Sequence, residues 1–218
     1  VLFDLDGTLL NTLDDLADSV NEVLTERGLP THPVDAYRYF VGDGAATLIH
    51  RVLPDGARTA DLESRCLTRF REIYATRWNL KTVPYDGIPA MLAALARRGI
   101  RLAVLSNKPH DATEQCVSEL LKGVRFDAVQ GQTAEIAKKP DPGGALAIAR
   151  QLGLRPAEFL YVGDTATDMQ TAVRAGMTPV GVLWGFRTAD ELVQHGARAL
   201  IAHPSELLTL LDQRSFPE

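Results

Sequence analysis

The chain has 218 residues, of which 45% are hydrophobic and 23% charged, an ordinary balance for a globular protein and a length suggesting one large domain or a core with a smaller attachment. Its net charge of −5 argues against a nucleic-acid or anionic-membrane partner, since both attract basic surfaces. No apolar run approaches the ~20 residues of a membrane span. The cysteines, Cys66 and Cys116, lie far apart in helical patterns and read as small buried hydrophobes rather than a redox or zinc pair. A reducing, cytoplasmic compartment is expected from that usage. The sequence opens at Val1 inside an apolar run without an initiator methionine, so native residues are expected before it and no targeting signal is readable.

In chain order, the first predicted element is a short strand, Val1-Leu2-Phe3. Thr12 then stands where a helix cap is expected, ahead of an apolar stripe of Leu13, Leu16, Ala17, Val20 and Leu24 that stops at Gly28. A second helical stripe carries Leu62, Cys66, Phe70, Ile73 and Trp78, and Pro84, Gly87 and Pro89 mark its end. Next come a helix with Ile88, Met91, Leu92 and Leu95 on one face, and the strands Leu102–Leu105 and Phe126–Val129. A helix with Ala145, Leu146, Ala149 and Leu152 follows, then the strands Phe159–Val162 and Pro179–Leu183. Near-continuous apolarity over four or five residues is what a parallel strand covered on both faces requires. Alternating with amphipathic helices, these runs predict an α/β fold with a doubly wound, Rossmann-like parallel sheet. The helices after the first strand predict an inserted helical domain, residues 14–82, against a core of 1–13 and 83–218.

Chemistry is expected at the strand ends, because ligands of open α/β sheets bind beyond the carboxyl ends of the strands. The first strand runs into Asp4 and Asp6, two like charges that need a cation nearby or a proton between them, and Gly7 permits a sharp turn. The second ends in Ser106-Asn107, compact hydrogen-bonding groups. The fourth ends in Gly163-Asp164, with Asp168 one helical turn further on if a helix begins after Thr165. Lys139 sits in the proline-stiffened stretch Lys138-Lys139-Pro140-Asp141-Pro142. Oxygen donors with few histidines favour Mg²⁺ over zinc or copper.

Together, Asp4-Leu5-Asp6-Gly7-Thr8, Ser106-Asn107, Lys139-Pro140 and Gly163-Asp164-Thr165-Ala166-Thr167-Asp168 resemble the four motifs of the haloacid-dehalogenase-like hydrolases. The inserted helices resemble that family's cap domain. Within the superfamily the chain most resembles the phosphoglycolate phosphatases. Gly42-Asp43-Gly44-Ala45 with Leu48 and Arg51 looks like their cap loop, and Ser106-Asn107-Lys108-Pro109 and Val182-Leu183-Trp184-Gly185-Phe186 also match. One departure is Asn11-Thr12, where these enzymes often carry Asp-Ser or Asp-Thr; it bears on substrate detail rather than on the four motifs.

The resemblance implies that Asp4 is the nucleophile, forming an aspartyl-phosphate, and that Asp6 is the general acid and base. It implies Mg²⁺ held by Asp4, the Asp6 backbone carbonyl and Asp164, with Asp168 in support. Ser106, Asn107 and Lys139 would hold the transferring oxygens, and Gly42, Asp43, Gly44 and Arg51 would select a small phosphorylated metabolite. A pyrophosphatase or a phosphosugar mutase of the same superfamily carries the same motifs, and a non-catalytic phospho-acceptor module shares acidic strand ends. A dehalogenase has no use for Asp6, and Lys81 is the one lysine in the insertion that a phosphonatase could use. The oligomeric state is not legible in the sequence.

Overall fold

The computed structural model describes residues 1–213. It divides into two compact units, Val1–Leu10 with Pro84 onward, and Asn11–Val83. The chain passes between them through two short strands, β2 (Leu10–Asn11) and β3 (Val83–Pro84), which pair with each other.

The inserted unit is helical. Its members are α1 (Leu13–Glu26), the single turn α2 (Tyr37–Phe40), α3 (Ala45–Val52) and α4 (Ala60–Arg77). Leu13, Leu16, Ala17, Val20 and Leu24 of α1 are buried, as are Cys66, Phe70 and Ile73 of α4, because these positions recur on one helical face. The expected cap at Thr12 is not made. Thr12 stands at the N-cap position with no side-chain cap hydrogen bond, and its hydroxyl is buried without a partner. Asn11 Oδ1 instead accepts from the Leu13 amide at 3.4 Å. Asp15, one turn into α1, accepts from the Lys81 and Thr82 amides and from the Thr82 hydroxyl, at 2.7–3.1 Å. That buried carboxylate ties the entry of the insertion to its exit.

The other unit is built on a six-stranded sheet in the order β5-β4-β1-β6-β7-β8. Its strands are β1 (Leu2–Phe3), β4 (Ala103–Pro109), β5 (Ala128–Gln132), β6 (Leu160–Gly163), β7 (Thr178–Val182) and β8 (Ala199–Ile201), all paired parallel. The helices α5 (Ile88–Arg97), α6 (His110–Leu120), α7 (Gly143–Leu152), α8 (Ala166–Ala175), α9 (Ala189–Gln194) and α10 (Glu206–Asp212) alternate with them. The central strands β4, β1 and β6 are buried except for Pro109 at the end of β4, and Leu2, Phe3, Ala103, Val104 and Tyr161 have no exposed surface, as a sheet covered on both faces demands. β1 lies between β4 and β6, with Leu2 beside both Ala103 and Tyr161. The strand order reverses there, and a crevice opens beyond the strand ends.

Among the departures from the sequence reading are the short pair β2 and β3 and the two edge strands of the six-stranded sheet. β5 begins at Ala128 rather than Phe126 and runs on through Gln130, Gly131 and Gln132. β8 was not expected at all. Both are sheet edges; Gln130 and Gln132 weaken the apolar signal of β5, whereas Ala199-Leu200-Ile201 of β8 is apolar and was passed over despite that signal.

Candidate active site

The first two carboxylates enter from the turn after β1. The Leu10 amide donates to the Leu5 carbonyl at 2.9 Å and the Gly7 amide to the Leu10 carbonyl at 2.8 Å, which folds Asp6, Gly7 and Thr8 into a tight loop. Gly7 has φ +92°, a left-handed conformation that costs glycine nothing. Asp4 is buried and continues the strand, its amide donating to the Val162 carbonyl at 2.9 Å.

Asp164 and Asp168 come from β6 and α8. Asp168 is the third residue of the helix and forms a capping box with Thr165: its Oδ2 accepts from the Thr165 amide at 3.1 Å and hydroxyl at 2.7 Å. Asp164 is fully buried. Its Oδ1 accepts from the Thr8 hydroxyl at 3.0 Å and its Oδ2 from the Phe186 amide at 2.8 Å. A methyl group on either Gly7 or Gly185 would run into the Asp164 side chain, so both glycines leave room for that carboxylate. Trp184 Nε1 donates to the Thr8 carbonyl at 2.9 Å, so the Trp184-Gly185-Phe186 stretch is a packed loop beside the site.

Lys139 reaches into this group from the loop before α7. Its ammonium lies 2.7 Å from Asp4 Oδ1 and 2.7 Å from Asp168 Oδ1. Asn107, at the end of β4, holds the lysine by its backbone: Oδ1 accepts from the Lys139 amide at 2.8 Å and Nδ2 donates to its carbonyl at 3.2 Å. The Lys139–Pro140 peptide is cis. Burial works against a charged Lys139, but Asp168 and Asp4 outweigh it and raise its pKa.

Asp4, Asp164 and Asp168 present oxygens that all lie within 4.8 Å of one another. Burial first, and then Asp168, push the Asp4 carboxyl well above the usual carboxylate range. The same two causes push Asp164 up to about 7, against the pull of the Phe186 amide and the Thr8 hydroxyl. Three buried carboxylates around one ammonium leave a net negative charge out of water, which is unfavourable without further compensation. An all-oxygen donor set with that charge fits a hard divalent cation. Asp6 is not in this cluster. Its carboxylate receives the Lys108 ammonium, 3.2 Å from each oxygen. The two acids of the first motif therefore have separate counter-charges, Lys139 for Asp4 and Lys108 for Asp6.

The chain has known relatives. Residues 1–182 match the haloacid dehalogenase-like hydrolase family. The chain belongs to that family. It is 34% identical to the phosphoglycolate phosphatase of Pseudomonas putida, across 97% of this chain and 83% of that protein. It is 33% identical to the phosphoglycolate phosphatase of Aquifex aeolicus, across 97% and 96%. Among solved structures, a predicted phosphoglycolate phosphatase from Haemophilus somnus superposes with a TM-score of 0.89 at 27% identity over 96% of both chains.

Several side chains of this family member hold positions that the sequence did not announce. Asn107, expected on the transferring oxygens, has its carbonyl oxygen and one amide hydrogen occupied by Lys139. Ser106 Oγ accepts from the Lys108 amide at 3.2 Å, which leaves its proton to donate. Lys108, Thr8 and the Phe186 amide were not expected to touch the acids. Lys108 did carry a signal, since a lysine at the end of a buried strand needs a carboxylate partner. In the inserted unit, Arg51 donates to the Phe40 carbonyl at 3.1 Å and to Asp43 Oδ2 at 2.5 Å. Gly42 and Gly44 flank Asp43 with φ of 122° and 86°, and Gly44 caps α3.

Proposed function

We propose that this hydrolase is a Mg²⁺-dependent phosphatase that cleaves a small phosphate monoester through an aspartyl-phosphate, with phosphoglycolate among its preferred substrates. The observation that carries the reading is the separation of Asp4 from Asp6. One acid lies inside the cation-binding cluster, and the other lies outside it on its own lysine. A nucleophile and a proton carrier need such different settings, whereas a dehalogenase would have no use for the second.

In the first step an Asp4 oxygen attacks phosphorus and the ester P–O bond breaks, while Asp6 gives its proton to the departing alkoxide. In the second, Asp6 takes a proton from water, the water oxygen attacks phosphorus, and the Asp4 O–P bond breaks to release inorganic phosphate. Lys139 and the Ser106 hydroxyl donate to the equatorial oxygens, where charge is spread in phosphoryl transfer. Asp4, Asp164 and the Asp6 backbone carbonyl would hold Mg²⁺, and a cation bound there would supply positive charge to offset repulsion between carboxylate and phosphate. Asp168 keeps Lys139 in place. In the inserted unit, the Gly42-Asp43-Gly44 loop and Arg51 select the leaving group. Arg51 acts by holding that loop in shape, since its guanidinium already serves Asp43 and Phe40.

Among the described residues no helix is long and apolar enough to cross a membrane, and a cytoplasmic small-metabolite enzyme is the reading that fits. The test is phosphate release from a panel of monoesters with Mg²⁺ and with chelator, for wild type and Asp4→Asn. Mg²⁺-dependent release, absent in the variant and fastest with carboxylated esters, is expected. Turnover by Asp4→Asn overturns the covalent mechanism. Isomer formation without phosphate release replaces the phosphatase by a mutase.

A further inference from the structure

We propose that Lys108 is a positioning residue for the reaction, holding the Asp6 carboxyl group in the place from which, once protonated, it hands its proton to the leaving oxygen. The inference rests on the reading of Asp6 as general acid. The Lys108 side chain is 6% exposed and that of Asp6 15%, and the ammonium sits at an equal 3.2 Å from both carboxylate oxygens. An ammonium shared equally between the two oxygens fixes where the carboxyl end of Asp6 sits, through two charge-assisted contacts.

The lysine is itself rooted. Its amide donates to Ser106 Oγ at 3.2 Å and its carbonyl accepts from Thr113 Oγ1 at 3.3 Å. The backbone of β5 lies flush against it, since a Cβ on Gly131 would stand 2.7 Å from the Lys108 carbonyl oxygen. The ammonium is therefore delivered from a fixed strand end rather than from a mobile side chain. Lys139 is occupied by Asp4 and Asp168, so Asp6 depends on the second lysine for its placement.

An ion pair that only neutralised a buried lysine would change stability and would affect all substrates alike. A positioning contact acts where proton delivery matters, on esters with poor leaving groups. The test compares kcat and KM for an alkyl phosphate and for nitrophenyl phosphate in wild type, Lys108→Met and Asp6→Asn, with thermal unfolding of each. Lys108→Met is expected to lose at least about ten-fold more kcat on the alkyl ester than on the aryl one, a share of the ~10²–10⁴ that placed acid–base groups contribute. KM should change little, and Asp6→Asn should show the same pattern more strongly. Equal losses on both esters in Lys108→Met, or none, overturn the role of Lys108 while leaving Asp6 as the acid. Equal losses in Asp6→Asn remove the acid assignment itself, and the role of Lys108 with it. If Lys108→Met does not fold, Lys108→Gln is read against the same two outcomes.

Discussion

Asn107 grips Lys139 by both backbone groups, accepting from its amide at 2.8 Å and donating to its carbonyl at 3.2 Å. One residue at the end of a strand thereby sets where a lysine 32 positions further on places its ammonium. Asn107→Ala would leave both backbone groups buried and unpaired, at about 1–3 kcal/mol each. Urea unfolding should show a loss of about 2–6 kcal/mol for the two together. The kcat should fall by up to about 100-fold, the scale of a misplacement of about 1 Å. Unchanged stability and turnover would contradict the clamp.

The acid cluster predicts an inverted pH dependence of stability in the absence of metal. Burial, with Asp168, raises the folded-state Asp164 pKa to about 7, above the ordinary value of about 4. A raised folded pKa means that the folded state holds a proton the unfolded state has lost. Stability from this group is therefore complete below about 4 and declines as pH rises through about 7. In chelator, the wild type should lose thermal stability over that window, and Asp164→Asn should flatten the loss. Added Mg²⁺ at pH 8 should raise the melting temperature of the wild type far more than that of the variant. Equal responses of the two proteins would remove Asp164 from the cation site.

Gly185 tests the geometry around the same carboxylate by addition rather than removal. Its Cβ would overlap Asp164, and the carbonyl of Gly7 crowds the same point at 2.6 Å. Gly185→Ala should therefore displace the carboxylate, weakening Mg²⁺ binding by about ten-fold or more, on the scale seen when groups supporting a metal ligand are changed. Calorimetric titration with Mg²⁺ measures this directly. An unaltered affinity would show that the loop yields.

The fourth test concerns selectivity. Arg51→Ala removes the charged contact to Asp43 and the one to the Phe40 carbonyl, and Gly44→Val forces a β-branched residue into φ near 86°. Each should lower kcat/KM for phosphoglycolate by about ten-fold or more relative to nitrophenyl phosphate, the scale of a lost charge-assisted hydrogen bond. Proportional losses on both esters would separate the loop from substrate choice.

The alternation of short apolar runs with helical stripes was enough to give a parallel sheet with a helical insertion, because two-faced burial imposes a composition that can be read one residue at a time. The acids of the candidate site were legible for a related reason: Asp4, Asp6, Asp164 and Asp168 lie at or just beyond the ends of such runs, where a charge needs a partner. The shift of β5 onto Gln130 and Gln132 escaped because polar residues at a half-buried edge break the apolar pattern, while the edge strand Ala199–Ile201 was missed although its residues are apolar. What only tertiary structure decided was the pairing of charges. No local rule says that Lys139 serves Asp4 and Asp168 while Lys108 serves Asp6, that Asn107 grips the backbone of Lys139, or that Gly185 makes room for Asp164. Those relations join residues up to 135 positions apart, as Asp4 and Lys139 are. They depend on strand order and on the few ångströms that separate one buried carboxylate from the next.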